Sequence, residues 1–196
     1  MFDNLSEVKK NYGIKDSGNW MKLKDGSNKV RIVSDFADYG IHSIKDNGKY
    51  RSEVCIGKDN GCYYCSQGLP VKVQFLGWVI DRADNQVKLL RIGWVIASQI
   101  KAYQESEEYG FKDLPPYDID IVRSGEGLET DYNVIPARKD TPLTPEEKEM
   151  IAKVVKDPRE IIDKMKEKVL TNIDSELASE GTEDNDIEKP FDEPPF

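Results

Sequence analysis

His42 precedes Cys55 by thirteen residues, and Cys62 and Cys65 follow as the pair Cys62-Tyr63-Tyr64-Cys65. Two cysteines separated by two residues form one half of a zinc ribbon or knuckle. Three thiolates with the chain's single imidazole then make a tetrahedral set of four. Such a set leaves no open position for a substrate, so the expected ion is one structural Zn(II) that folds a loop. Three cysteines this closely grouped, an odd number, fit a disulfide framework poorly. Without His42, the fourth ligand would be Glu53, Asp59 or water. The plainer alternative is three buried thiols beside an ordinary surface histidine.

A catalytic zinc would need more. The nucleobase deaminases use His-x-Glu, with the glutamate as proton shuttle, whereas His42 is followed by Ser43 and Ile44. The chain also lacks a Ser/His/Asp set, a Walker loop and a paired-carboxylate motif, so no enzymatic turnover is expected.

The elements that must hold these ligands follow from periodicity. Apolar and cationic residues alternate over 28–34, a half-buried strand with Lys29 and Arg31 on its outer face. A long strand over 71–81 and a return strand over 86–92 flank the turn Ala83-Asp84-Asn85. From Trp94 the spacing becomes helical until Gly110, and strands over 118–123 and 131–136 follow. Three strands, a helix and two strands predict a mainly β chain built on a five-stranded OB-like barrel, with the zinc loop (about 39–70) inserted after the first strand. The competing architecture is a small α+β domain with an open antiparallel sheet. Thr144-Pro145-Glu146-Glu147 and Asp157-Pro158-Arg159 each start a helix. The organisation expected is therefore an arm over 1–19, a core over 20–140, a helical segment over 141–170 and a disordered acidic tail over 171–196.

The net charge of −9 hides an asymmetry: residues 1–101 carry 16 Lys and Arg against 11 Asp and Glu, whereas residues 171–196 carry one against nine. A basic half interleaved with aromatics suits a single nucleic-acid strand, whose phosphates track a cationic groove while its bases stack. The candidate contacts are Lys22, Lys24, Lys29, Arg31, Tyr39, Lys49, Tyr50, Arg51, Tyr63, Tyr64, Lys72, Trp78, Lys88 and Arg91. Alternation along 71–81 places Trp78 with Lys72 and Gln74, opposite Phe75, making Trp78 the better stacking candidate. Trp94 is at least as well explained as a core residue.

At the other end, Asp192, Glu193, Pro194, Pro195 and Phe196 offer a stiff acidic segment with an aromatic and a free carboxylate that a basic partner pocket could capture. No apolar run reaches the roughly 18 residues of a membrane span, and the N-terminus lacks the pattern of a signal peptide, so a soluble intracellular protein is expected.

The His42, Cys55 and Cys62-Tyr63-Tyr64-Cys65 pattern, within a basic OB-like region and ahead of an acidic tail, resembles the phage single-stranded DNA-binding proteins of the T-even helix-destabilising type. The interval from Cys55 to Cys62 is shorter than in that family. The ending through Phe196 is similar to bacterial and other phage single-strand binders, whose terminal phenylalanine docks on replication and repair partners. The resemblance implies a protein of the bacterial host cytoplasm that coats single-stranded DNA in replication, recombination and repair and recruits partners through its tail. The alternative is a zinc-ribbon adaptor between proteins of a replication or transcription complex.

Overall fold

The computed structural model describes residues 20–46 and 48–180. The expected arm over 1–19 and the terminal segment with Asp192, Glu193, Pro194, Pro195 and Phe196 lie outside the described residues.

The chain forms β1 (Trp20–Met21), β2 (Lys29–Ile32), β3 (Ala37–Asp46), β4 (Lys49–Val54), a short α1 (Tyr63–Ser66), β5 (Lys72–Asp81) and β6 (Gln86–Gly93). It continues with α2 (Trp94–Gln104), β7 (Ile119–Ser124), β8 (Asp131–Pro136), α3 (Pro145–Val154) and α4 (Pro158–Glu180). All five predicted strands and the helix after the third are present. Three strands were not foreseen. β1 pairs in parallel with β6, and β3 and β4 form a hairpin that carries the sheet into the region expected to be a loop. α4 also runs to Glu180, ten residues past the expected end of the helical segment.

One eight-stranded sheet results, ordered β1-β6-β5-β2-β7-β8, with β3 joined to β5 and β4 to β3. In place of a five-stranded OB-like barrel, the eight strands form a curled, open sheet. α2 packs on the neighbouring β5 and β6 and also on β8, three places from β5 in the strand order, and this places the helix inside the curl. From there Gln99 completes the edge of β8: its Nε2 donates to the Tyr132 carbonyl at 2.9 Å and its Oε1 accepts from the Val134 N–H at 2.8 Å. A side-chain amide thus replaces a neighbouring strand and satisfies backbone groups that would otherwise be orphaned.

The sheet buries both faces. Inside the curl, Val30, Ile32, Val79, Leu90, Ile92, Ile119 and Val134 pack with Ile96 of α2. On the outer face, Tyr39, Ile41, Leu76, Trp78, Ile80 and Leu89 pack beneath Ile162 of α4, with Met150 and Ile151 of α3 alongside. Both helices start as their sequences dictate. Thr144 and Glu147 form a reciprocal capping box, and the Asp157 carboxylate accepts from the Arg159 N–H at 2.9 Å. At the β5–β6 turn, Asn85 adopts φ 54° and its N–H returns to the Asp81 carbonyl at 2.7 Å.

Candidate metal centre and nucleic-acid surface

The β3–β4 hairpin brings His42 to the cysteines. His42 sits opposite Glu53 in the ladder and is fully buried. The N–H of Cys55 bonds to the Gly40 carbonyl at 2.9 Å, tying the end of β4 back to β3. Gly40 is required there, because a Cβ at that position would lie 2.7 Å from Val71 Cγ1 and 3.1 Å from Cys55 Cβ. Beyond Cys55 a single 3-10 turn ends at Gly61 with φ 74°, and the Cys62 N–H closes on the Gly57 carbonyl at 3.1 Å. α1 then turns Cys65 back toward Cys62.

The four donor atoms lie within 4.8 Å of one another. His42 Nε2 is 3.4 Å from Cys62 Sγ and 3.5 Å from Cys65 Sγ, and Cys55 Sγ is 3.9 Å and 3.5 Å from the same two sulfurs. A tetrahedron with metal–sulfur bonds of about 2.3 Å and a metal–nitrogen bond of about 2.0 Å has edges of roughly 3.8 Å and 3.6 Å. These four separations match those edges to within a few tenths of an ångström, and the sulfur–sulfur ones far exceed a disulfide bond of about 2.05 Å. The cluster could hold one metal ion.

Its electrostatics agree with that geometry. Burial pushes the Cys62 thiol up, but hydrogen bonds from the backbone N–H groups of Cys65 and Ile56, with the Cys65 thiol and His42, outweigh it and bring its pKa to about 7. Cys65, bonded to Cys55 and crowded by both other thiols, is pushed up to about 12. One thiol ionises readily while its neighbour resists. A cation among them removes the conflict, because it favours thiolate at all three positions. Cys55, Ile56 and Cys62 form a small core with Tyr64 and Val169 of α4.

Comparison with protein-family models and with curated sequences finds no match. No helix among the described residues is long and apolar enough to cross a membrane.

The residues expected to contact nucleic acid divide sharply. Lys22, Lys24, Lys29, Tyr50, Arg51, Tyr63, Lys72 and Arg91 are exposed. Lys49 stands opposite Asp46 in the β3–β4 backbone ladder, and Tyr64 is half-buried, its ring 5.5 Å from that of His42.

Three others are buried. Trp78 is 6% exposed, and its indole N–H donates to the Lys156 carbonyl at 2.8 Å. Tyr39 is 4% exposed in the same outer-face core. Arg31, 6% exposed, lies 3.6 Å from Asp118. Alternation along the strands separates these side chains from the inner core correctly, but α3 and α4 cover the face on which they stand. Lys88 is engaged within the chain, its ammonium held between Asp81, at 2.7 Å, and Asp84, at 2.5 Å.

Trp94 was missed in the opposite sense. It is 66% exposed at the start of α2, with its ring 6.1 Å from that of Phe75. Its place directly after a strand, as the first residue of a helix whose apolar stripe starts at Val95 and Ile96, was the available signal.

Proposed function

We propose that the protein binds single-stranded DNA stoichiometrically, without turnover, as a zinc-containing member of the phage single-strand-binding type. The observation that carries this reading is the pair of aromatics on the metal-held insertion between β2 and β5. Tyr50 is 75% exposed and Tyr63 is 61% exposed, and the Lys45 ammonium lies 6.0 Å from the Tyr50 ring centre. Large aromatics presented to water beside Lys45, Arg51 and Lys58 are what a strand needs for stacking its bases and pairing its phosphates.

Two further features support the reading. β2 pairs with both β5 and β7, and β5 with β6, the neighbour relations of an OB barrel in which α2 takes the place of the closing strand contact. Three thiolates and an imidazole at tetrahedral separations suit Zn(II), held by His42, Cys55, Cys62 and Cys65. Bound there, the ion supplies a cross-link between the hairpin and the turn, where the local core is small.

Tryptophan fluorescence titrated with a thymidine oligomer, against a duplex of equal length at low and high salt, tests the proposal. Salt-sensitive quenching by the single strand alone is expected. If neither nucleic acid is retained, the zinc-ribbon adaptor takes its place, a reading favoured by the exposed apolar side chains of Val71, Val73 and Val95. Recruitment of replication and recombination proteins through residues 192–196 belongs to the same proposal. Deleting those residues is expected to spare strand affinity and abolish recruitment.

A further inference from the structure

A pocket of about 560 Å³ opens between α2, the end of β2 and the segment around Phe111 and Leu114. That volume falls in the range of sites for small organic ligands. Phe36, Phe75, Ile92, Trp94 and Phe111 form its apolar walls. The Phe36 ring lies directly over Gly77, where a Cβ would meet ring atoms at 2.7–3.0 Å, so the strand backbone itself makes room for the ring.

The polar groups around the pocket are unequally engaged. Ser34 accepts from the Trp78 N–H and donates to the Asp35 carbonyl, and Ser98 donates to the Val95 carbonyl. Gln104 accepts from Lys101 and donates to the Lys112 carbonyl, while Lys101 also pairs with Glu105 at 3.2 Å. The carboxylates of Asp35 and Asp113 are exposed and have no hydrogen-bond or ion-pair partner among the described residues. The polar capacity left for a ligand is therefore mainly acceptor, beside one unused N–H of the exposed Lys101 ammonium.

We propose that this pocket takes one amino-bearing nucleobase of the bound strand, stacked on Trp94 and read by the carboxylates of Asp35 and Asp113. The assignment rests on the strand-binding reading above and adds to it a base preference. A flat heterocycle suits aromatic walls, and each exposed aromatic offers a face to any base. The carboxylates decide among bases. Cytosine, adenine and guanine present exocyclic N–H groups to an acceptor, whereas thymine flanks its one ring N–H with two carbonyl oxygens that face the carboxylates unfavourably. The same negative charge keeps phosphates out, so the base enters while the backbone stays outside.

The test uses the full chain with a thymidine oligomer and with oligomers in which one central thymidine is replaced by deoxycytidine, deoxyadenosine or deoxyguanosine. Each replacement is expected to tighten binding about tenfold. The double variant Asp35→Ala, Asp113→Ala should erase that preference without weakening the thymidine oligomer. These side chains are exposed and unpartnered, so the variant keeps its fold. Trp94→Ala should weaken every oligomer about tenfold and Trp94→Phe much less. Wild-type protein that binds the thymidine oligomer but shows no preference, or a preference that survives in the double variant, overturns the pocket assignment and leaves strand binding standing. Failure to bind any single strand overturns both.

Discussion

Arg82 and Glu147 join the sheet to the C-terminal helices. The guanidinium donates through Nη1 to Glu147 Oε1, and its other two nitrogens hold Asp118 at 2.9 Å and 3.0 Å. Glu147 is at the same time the return arm of the α3 capping box, accepting the Thr144 N–H at 2.9 Å. One carboxylate thus terminates a helix and fastens it to the β5–β6 turn, and with it the cover over Trp78 and Tyr39.

The stability of that joint should depend on pH. Burial alone would raise the Glu147 pKa, but the hydrogen bonds from Arg82 and Thr144 outweigh it, so the group titrates below its ordinary 4.5. A carboxylate depressed by folding contributes stability that is fully present above the unfolded value and lost as pH falls through the folded one. The melting temperature is expected to fall on acidification below about pH 4.5 more steeply in the wild type than in Glu147→Gln. At neutral pH the variant should cost about 2 kcal/mol. Calorimetry across this range checks both, and parallel pH curves for the two proteins would remove Glu147 as the cause.

Metal content gives a second prediction. Cys62→Ser or Cys65→Ser should lower zinc from one ion per chain to none and loosen the turn around α1 while the curled sheet persists. Zinc quantitation with circular dichroism reads the two separately. A zinc-free preparation whose melting temperature matches the loaded protein would contradict a structural metal.

Gly40 offers a test of the same centre from the backbone. Gly40→Ala introduces a Cβ 3.1 Å from that of Cys55 and 2.7 Å from Val71 Cγ1, so the Val71 side chain must turn away and Cys55 must yield by a few tenths of an ångström. The expected result is weaker zinc retention against a chelator, at a destabilisation of about 1–3 kcal/mol. Unchanged retention would mean that the site adapts to the shift.

Buried and exposed aromatics should respond oppositely to substitution. Trp78→Phe loses the hydrogen bond to the Lys156 carbonyl and should destabilise the fold by about 1 kcal/mol with strand affinity unaltered. Tyr50→Ala and Tyr63→Ala, at exposed positions, should leave the melting temperature nearly unchanged and each cost about 1–3 kcal/mol of strand affinity. Urea denaturation and fluorescence titration of the same variants compare the effects directly. Loss of affinity in Trp78→Phe alone would mean that the covered face opens.

What was legible in the chain was local. The four metal-cluster residues, the strands over 71–81 and 86–92 with their turn, the helix after Gly93 and the capped helix starts each follow from residues a few positions apart, whose chemistry needs no distant partner. The β3–β4 hairpin was not legible, because its apolar positions Tyr39, Ile41 and Val54 are separated by polar residues and lie beside the cysteines, whose spacing alone suggested a loop.

The sequence by itself therefore determined which side chains form the cluster of His42 and the cysteines, five of the eight strands and where the longer helices begin, since backbone geometry and capping act over one or two turns of chain. Only the tertiary structure decided which faces of those strands meet water. Trp78 is closed off by the carbonyl of Lys156, 78 residues later, while Trp94 is left exposed. Alternation sorts a strand's side chains into two faces, but whether the second face is solvated depends on what the remote α3 and α4 bury, and no local pattern encodes that packing.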